Sequence, residues 1–230
     1  MRLIAILSLI VINQISFSQN DDWANLNRYR KENLTLYPLS ENESRVVFMG
    51  NSITEGWKIA DPDFFTENHF INRGISGQTT PQMLIRFRQD VVNLKPNVVV
   101  ILAGTNDIAG NTGPSTLEMI EDNIFSMVEI AKANNIKVIL CSVLPVFDYP
   151  WRQGINPSEK IIELNKRIKT YSQNNQIVYA DYFSEMADER NGLKKEYSKD
   201  GVHPNAEGYK AMKPIIEKAI RYSLQSELQQ

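Results

Sequence analysis

The chain has 230 residues, 42% of them apolar, with 25 basic against 27 acidic side chains and a formal net charge of −2. That length suits one substantial domain with a sizeable core, and no shift in composition divides it. The acidic balance excludes the basic stripe that phosphate neutralisation requires, so no nucleic-acid partner is expected.

Residues 1–18, MRLIAILSLIVINQISFS, place Arg2 before an apolar centre from Leu3 to Ile12 and end on small residues flanking Phe17. This is the pattern of a secretory signal peptide, with cleavage before Gln19. The apolar run is too short to span a bilayer comfortably, so no stable membrane insertion is expected. No cysteine stands at the cleavage site to take a lipid. The remaining residues, 19–230, read as a single domain of net charge −3, exported to the periplasm or beyond.

Residues 22–32 predict a short amphipathic helix that packs on the domain. Five strand-like apolar runs follow: Val46–Met49, His69–Asn72, Val98–Ala103, Lys137–Val143 and Ile177–Ala180. Between them, residues 80–93, 115–134 and 157–174 carry apolar side chains three and four apart, as in Ile120, Ile124, Met127, Val128 and Ala131, which predicts helices. A last helix from Asn205 to Leu224 closes the chain, and Pro214 is expected to kink it. Alternating strands and helices predict βαβ units: a flavodoxin-like five-stranded parallel sheet in a three-layer α/β/α sandwich, its loops gathered along one edge.

The only cysteine, Cys141, lies in an apolar run and reads as a core thiol. With one cysteine and two histidines, no cluster has the spacing of a structural zinc site, and neither a metal nor another cofactor is expected.

The polar chemistry falls in the loops after the strands. Ser52 follows the first run in VVFMGNSITEGW, at the carboxyl edge where open α/β sheets bind ligands. It is placed there as a nucleophile, or it caps the next helix, with Glu55 three residues on completing a capping box. In Asn72-Arg73-Gly74-Ile75-Ser76-Gly77 the glycines allow a tight turn and an exposed amide. Gly104-Thr105-Asn106-Asp107 brings a side-chain amide to the same edge, although Asn106 taken alone reads as a turn residue. Asp107 either braces this loop or is plainly structural. In Asp200-Gly201-Val202-His203-Pro204 the carboxylate can meet the imidazole Nδ1 and leave Nε2 as a base. His69 has no acid at comparable spacing and reads as structural.

In order and spacing, these four blocks resemble those of the SGNH hydrolases, also called GDSL esterases, over nearly the whole mature chain. All four family letters are present as Ser52, Gly74, Asn106 and His203. The first block reads Gly-Asn-Ser-Ile instead of Gly-Asp-Ser-Leu, which removes a charge beside the serine and keeps its neighbour's size. The resemblance implies that Ser52 attacks an ester carbonyl, His203 takes its proton and Asp200 holds His203. It also implies an oxyanion hole made by the backbone amides of Ser52 and Gly74 and the side chain of Asn106.

Trp57, Tyr149 and Trp151 come to the same edge, where they stack on sugar rings, line an acyl pocket or cover the top of the core. Export, a triad without metal and the aromatic rim point to hydrolysis of short acyl esters, foremost O-acetyl, on a small molecule or oligosaccharide. The alternatives are a lysophospholipase or thioesterase-like acyl hydrolase, and a carbohydrate-binding protein without catalysis.

Overall fold

The computed structural model describes residues 22–37 and 43–225, so the expected signal peptide lies outside the described residues. After a short helix α1 (Arg30–Leu34) come β1 (Val46–Gly50), α2 (Ser52–Ala60), α3 (Pro62–Thr66), β2 (Ile71–Gly74), α4 (Thr80–Asp90), β3 (Val98–Leu102) and α5 (Thr105–Ala109). They are followed by α6 (Leu117–Ala133), β4 (Lys137–Cys141), α7 (Pro157–Asn174), β5 (Val178–Ala180), α8 (Tyr182–Met186) and α9 (Ala206–Gln225).

The strands form one parallel five-stranded sheet in the order β2-β1-β3-β4-β5. Their continuous apolar runs follow from burial on both faces. Alternate residues feed separate cores. Val47, Met49, Val99, Ile101, Val138 and Leu140 pack with side chains from α4, α6 and α7. Val46, Phe48, Val98, Val100, Ile139 and Cys141 pack with α2, α3, α8 and α9. The expected three layers are therefore present. Cys141 is buried, and burial pushes its thiol up to about 12, as a core thiol should behave.

Two expectations need correction. The segment 22–32 is mostly turn, with helix only from Arg30. Asp22 draws the N–H groups of Leu26 and Asn27 onto its carboxylate at 2.6 and 2.8 Å, and Asn25 takes a left-handed φ of 56°, which a helix cannot accommodate. The segment does pack on the domain, since Ala24 and Tyr29 are buried. The second strand starts two residues later than predicted: His69, at φ 55°, belongs to the turn after α3. The last helix runs from Ala206 to Gln225 with Pro214 inside it, as the sequence places it.

The sheet order reverses at β1 and β3, which opens a crevice at their carboxyl ends. Register pairs Gly50 with Gly74 on one side and with Leu102 on the other. The loops after β1, β2 and β3 therefore leave the sheet at one level.

Candidate active site

β1 ends on a glycine because a Cβ at Gly50 would stand 2.0 Å from Thr54 Oγ1. Asn51 then caps α2, its Oδ1 accepting the Ile53 N–H at 3.0 Å. The capping box expected of Ser52 and Glu55 is thus replaced. Ser52 becomes the first residue of α2, its hydroxyl free of capping duty and set at the helix's positive end. Glu55 instead accepts from the Ser76 N–H and hydroxyl and pairs with Arg28. Asn51, where the family pattern has Asp, supplies the same capping oxygen without the charge.

Ser52 Oγ lies 2.9 Å from His203 Nε2, and His203 Nδ1 lies 2.7 Å from Asp200 Oδ2. The second carboxylate oxygen, Oδ1, accepts the backbone N–H groups of Val202 at 2.9 Å and His203 at 2.8 Å. Gly201, at φ 78°, makes this close turn possible. Burial pushes the Asp200 carboxyl up, but the hydrogen bonds from the His203 ring and from those two amides outweigh it and hold the group at about 2. Asp200 is therefore an anion at neutral pH, which places the imidazole proton on Nδ1 and leaves the Nε2 lone pair facing Ser52.

Asn106 is the second residue of α5 and is buried. Its Nδ2 donates to Gln78 O at 2.9 Å, which spends one amide proton and leaves the other for a ligand. Asp107 braces the loop: it accepts from the Thr80 N–H at 2.9 Å and from the Thr80 hydroxyl at 2.6 Å. Burial pushes its carboxyl up to about 6.

Gly74 departs from expectation. Its N–H donates to Asn72 Oδ1 at 2.9 Å, so this amide is committed within its own loop. The residue is glycine because a Cβ there would come 2.2 Å from Glu55 N and 2.8 Å from Asn51 O, the backbone at the head of α2.

The sequence reading missed Arg86. Fully buried on α4, it donates to Gly50 O at 3.0 Å and Arg73 O at 2.9 Å, and from Nε to Gln78 Oε1 at 2.5 Å. It also pairs with the equally buried Asp90 at 3.1 Å. Arg86 thus joins the ends of β1 and β2 to the residue that holds Asn106. The available signal was Arg86 and Asp90, four apart on the face that also carries Met83 and Phe87.

Of the aromatic rim, only Trp151 is where it was expected. It is 47% exposed, and its ring centroid lies 6.0 Å from that of His203. Trp57 is 2% exposed and stacks between Phe64 at 5.0 Å and Tyr209 at 5.4 Å, so it covers the core and cannot face a substrate. Tyr149 is also fully buried, its hydroxyl turned onto Thr105. Among the described residues no group of three or more His, Cys, Asp or Glu side chains is placed to hold a metal ion.

A serine, a histidine and an aspartate in hydrogen-bonded line at the switch point of a parallel α/β sheet have the geometry of a serine-hydrolase centre. The GDSL-like lipase/acylhydrolase family matches residues 48–211, and the chain belongs to it. The chain is similar to a provisionally assigned acylhydrolase from Bacteroides fragilis, with 52% identity and a TM-score of 0.87 over 88% of this chain and 99% of that one. The acetylxylan esterase of Xylanibacter ruminicola is 27% identical over 79% of this chain and 44% of its own. Human platelet-activating factor acetylhydrolase IB subunit alpha2 is 28% identical over 56% of this chain and 55% of its own. The chain therefore spans about half the length of these two curated relatives. Among the described residues no helix is long and apolar enough to cross a membrane.

Proposed function

We propose that this protein is an exported carboxylic ester hydrolase that removes short acyl groups, foremost O-acetyl, from a carbohydrate by way of an acyl-enzyme on Ser52. The unbroken line from Ser52 through His203 to Asp200, at 2.9 and 2.7 Å, carries this reading. Serine is a poor nucleophile until a base takes its proton. As Ser52 Oγ bonds to the ester carbon, His203 Nε2 takes the hydroxyl proton, and the Asp200 carboxylate stabilises the imidazolium. The same proton passes to the leaving alcohol as the C–O bond breaks. Water, deprotonated by His203 in turn, then adds to the acyl-serine, His203 returns that proton to Ser52 Oγ as the acyl C–O bond breaks, and the carboxylic acid leaves and ionises in solvent.

The developing oxyanion falls to the second amide proton of Asn106 and to the Ser52 N–H, which lies in the first turn of α2 where the helix offers no acceptor. A donor of this kind contributes about 3 to 4 kcal/mol when judged by its removal. Gly74 joins them only by releasing Asn72 Oδ1.

Export rests on residues 1–18, and residues 19–230 act as one catalytic domain. The exposed face of Trp151 beside His203 suits a sugar ring, and the likeness to an acetylxylan esterase supports the same substrate class. A lipid ester is the second reading, favoured by the likeness to platelet-activating factor acetylhydrolase.

The test is acetate release from an acetylated xylo-oligosaccharide, beside hydrolysis of p-nitrophenyl acetate and of a lysophospholipid, with Ser52→Ala as the blank. Serine-dependent release from the sugar supports the carbohydrate reading. Activity confined to the lipid moves the assignment to the second reading, and no serine-dependent hydrolysis of any of the three removes the enzyme reading.

A further inference from the structure

The helix that carries Asn106 cannot hold its own position. α5 has five residues, no side-chain cap at its N-terminus, and a glycine in left-handed conformation at each end, Gly104 at φ 117° and Gly110 at φ 72°. A single turn of helix is not stable by itself, so its neighbours must set where Asn106 points. Asp107 and Gln78 fasten it on the side of β2 and α4.

The opposite side is held by the loop after β4. The buried Tyr149 hydroxyl donates to Thr105 O at 2.8 Å and lies 3.0 Å from Thr105 Oγ1. A phenol has one proton, so the Thr105 hydroxyl must donate in return. Thr105 immediately precedes Asn106. At the other end of the helix, Arg152 Nη1 donates to Ala109 O. The two grips belong to one tight turn, closed by Arg152 N to Tyr149 O at 3.0 Å. Asp148 secures that turn by accepting from the N–H groups of Tyr149 at 3.0 Å and Gly154 at 2.8 Å. Trp151, the ring beside His203, stands between the grips.

We propose that Tyr149 and Arg152 form a two-ended clamp on α5 that aims the Asn106 side chain, which makes Tyr149 a positioning residue for the oxyanion donor. This rests on the role given to Asn106 above. Tyr149→Phe keeps the buried ring and removes only the hydroxyl that meets Thr105, so Asn106 loses aim while the substrate platform stays in place.

The experiment is a double-mutant cycle on p-nitrophenyl acetate with Tyr149→Phe, Asn106→Ala and the double variant, each checked for its melting temperature. Tyr149→Phe is expected to lower kcat about 10-fold and to move KM less than about twofold, because the lost interaction belongs to the transition state. In the Asn106→Ala background the same change is expected to lower kcat less than about twofold, since the group it positions is gone. Arg152→Met, which removes the grip at the other end of the helix, should repeat that pattern if Tyr149→Phe is too unstable to assay. Equal losses in both backgrounds, or a change confined to KM, overturn the clamp. An Asn106→Ala variant of undiminished kcat overturns the role of Asn106 instead and takes the clamp's catalytic meaning with it.

Discussion

Replacing Asp200 by Asn tests the proton logic of the site in detail. Two backbone donors, the Val202 and His203 N–H groups, converge on Oδ1 at 2.9 and 2.8 Å. An asparagine must answer them with its carbonyl oxygen, so its amide nitrogen takes the place of Oδ2, 2.7 Å from His203 Nδ1. That nitrogen donates and cannot accept. The imidazole then turns its Nδ1 lone pair towards the amide and carries its proton on Nε2, facing Ser52 Oγ, where no lone pair remains to act as base. Loss of the correct tautomer in a triad of this geometry costs about ten-thousand-fold in kcat, on the order of 5.5 kcal/mol. The backbone bonds to Oδ1 survive, so the melting temperature should stay within a few degrees of the parent. Steady-state kinetics on p-nitrophenyl acetate with a parallel thermal melt reads both. In a Ser52→Ala background Asp200→Asn should cost nothing further, because the residues act as a unit. A loss of less than about 10-fold in kcat refutes the tautomer argument, as does a loss that tracks unfolding.

Gly74→Ala would set a Cβ 2.2 Å from Glu55 N and 2.8 Å from Asn51 O, backbone that cannot step aside without moving the head of α2. A destabilisation of about 1 to 3 kcal/mol in urea titration is expected, together with reduced kcat; an unchanged midpoint would contradict the packing. Arg86→Met leaves the buried Asp90 carboxylate without its counter-ion, at a cost of about 3 to 5 kcal/mol. Adding Asp90→Leu should restore most of that stability but not the activity, since the three bonds by which Arg86 ties Gly50 O, Arg73 O and Gln78 Oε1 together are still missing; full recovery of kcat would remove Arg86 from the positioning of the site. The Asp107 carboxyl, pushed by burial from 3.8 up to about 6, holds its proton longer in the folded than in the unfolded chain. Its contribution to stability is thus complete below about pH 4 and declines by about 3 kcal/mol as pH rises through 6. Asp107→Asn should flatten that slope in melts between pH 4.5 and 7, and an unaltered slope would assign it to another group.

Much of the architecture was legible because strands covered on both faces must be apolar throughout, and helices covered on one face must repeat every three to four residues. Where local polar chemistry competes, the pattern misled. Asp22 pulls two amides out of helical register in the segment predicted as a helix, and His69 belongs to a turn instead of a strand. The aromatic rim failed for a different reason. Trp57 lies four residues from Ile53, and both are buried, yet the direction that face takes depends on how α2 packs over Phe48 and against Phe64 and Tyr209.

The order and type of the candidate site residues are properties of the sequence by itself: Ser52, Asn106, Asp200 and His203 are polar groups at the ends of apolar runs or before the last helix. What only the tertiary structure decided is which atoms face each other. Ser52 and His203 stand 151 residues apart and meet because the sheet order brings the β1 end beneath the loop before α9. The burial of Tyr149 and Trp57, the commitment of the Gly74 amide to Asn72 and the hold of Arg86 on two strand ends arise the same way. Hydrogen bonds act over about 3 Å, and no pattern along the chain specifies distance to that precision until the layers have closed.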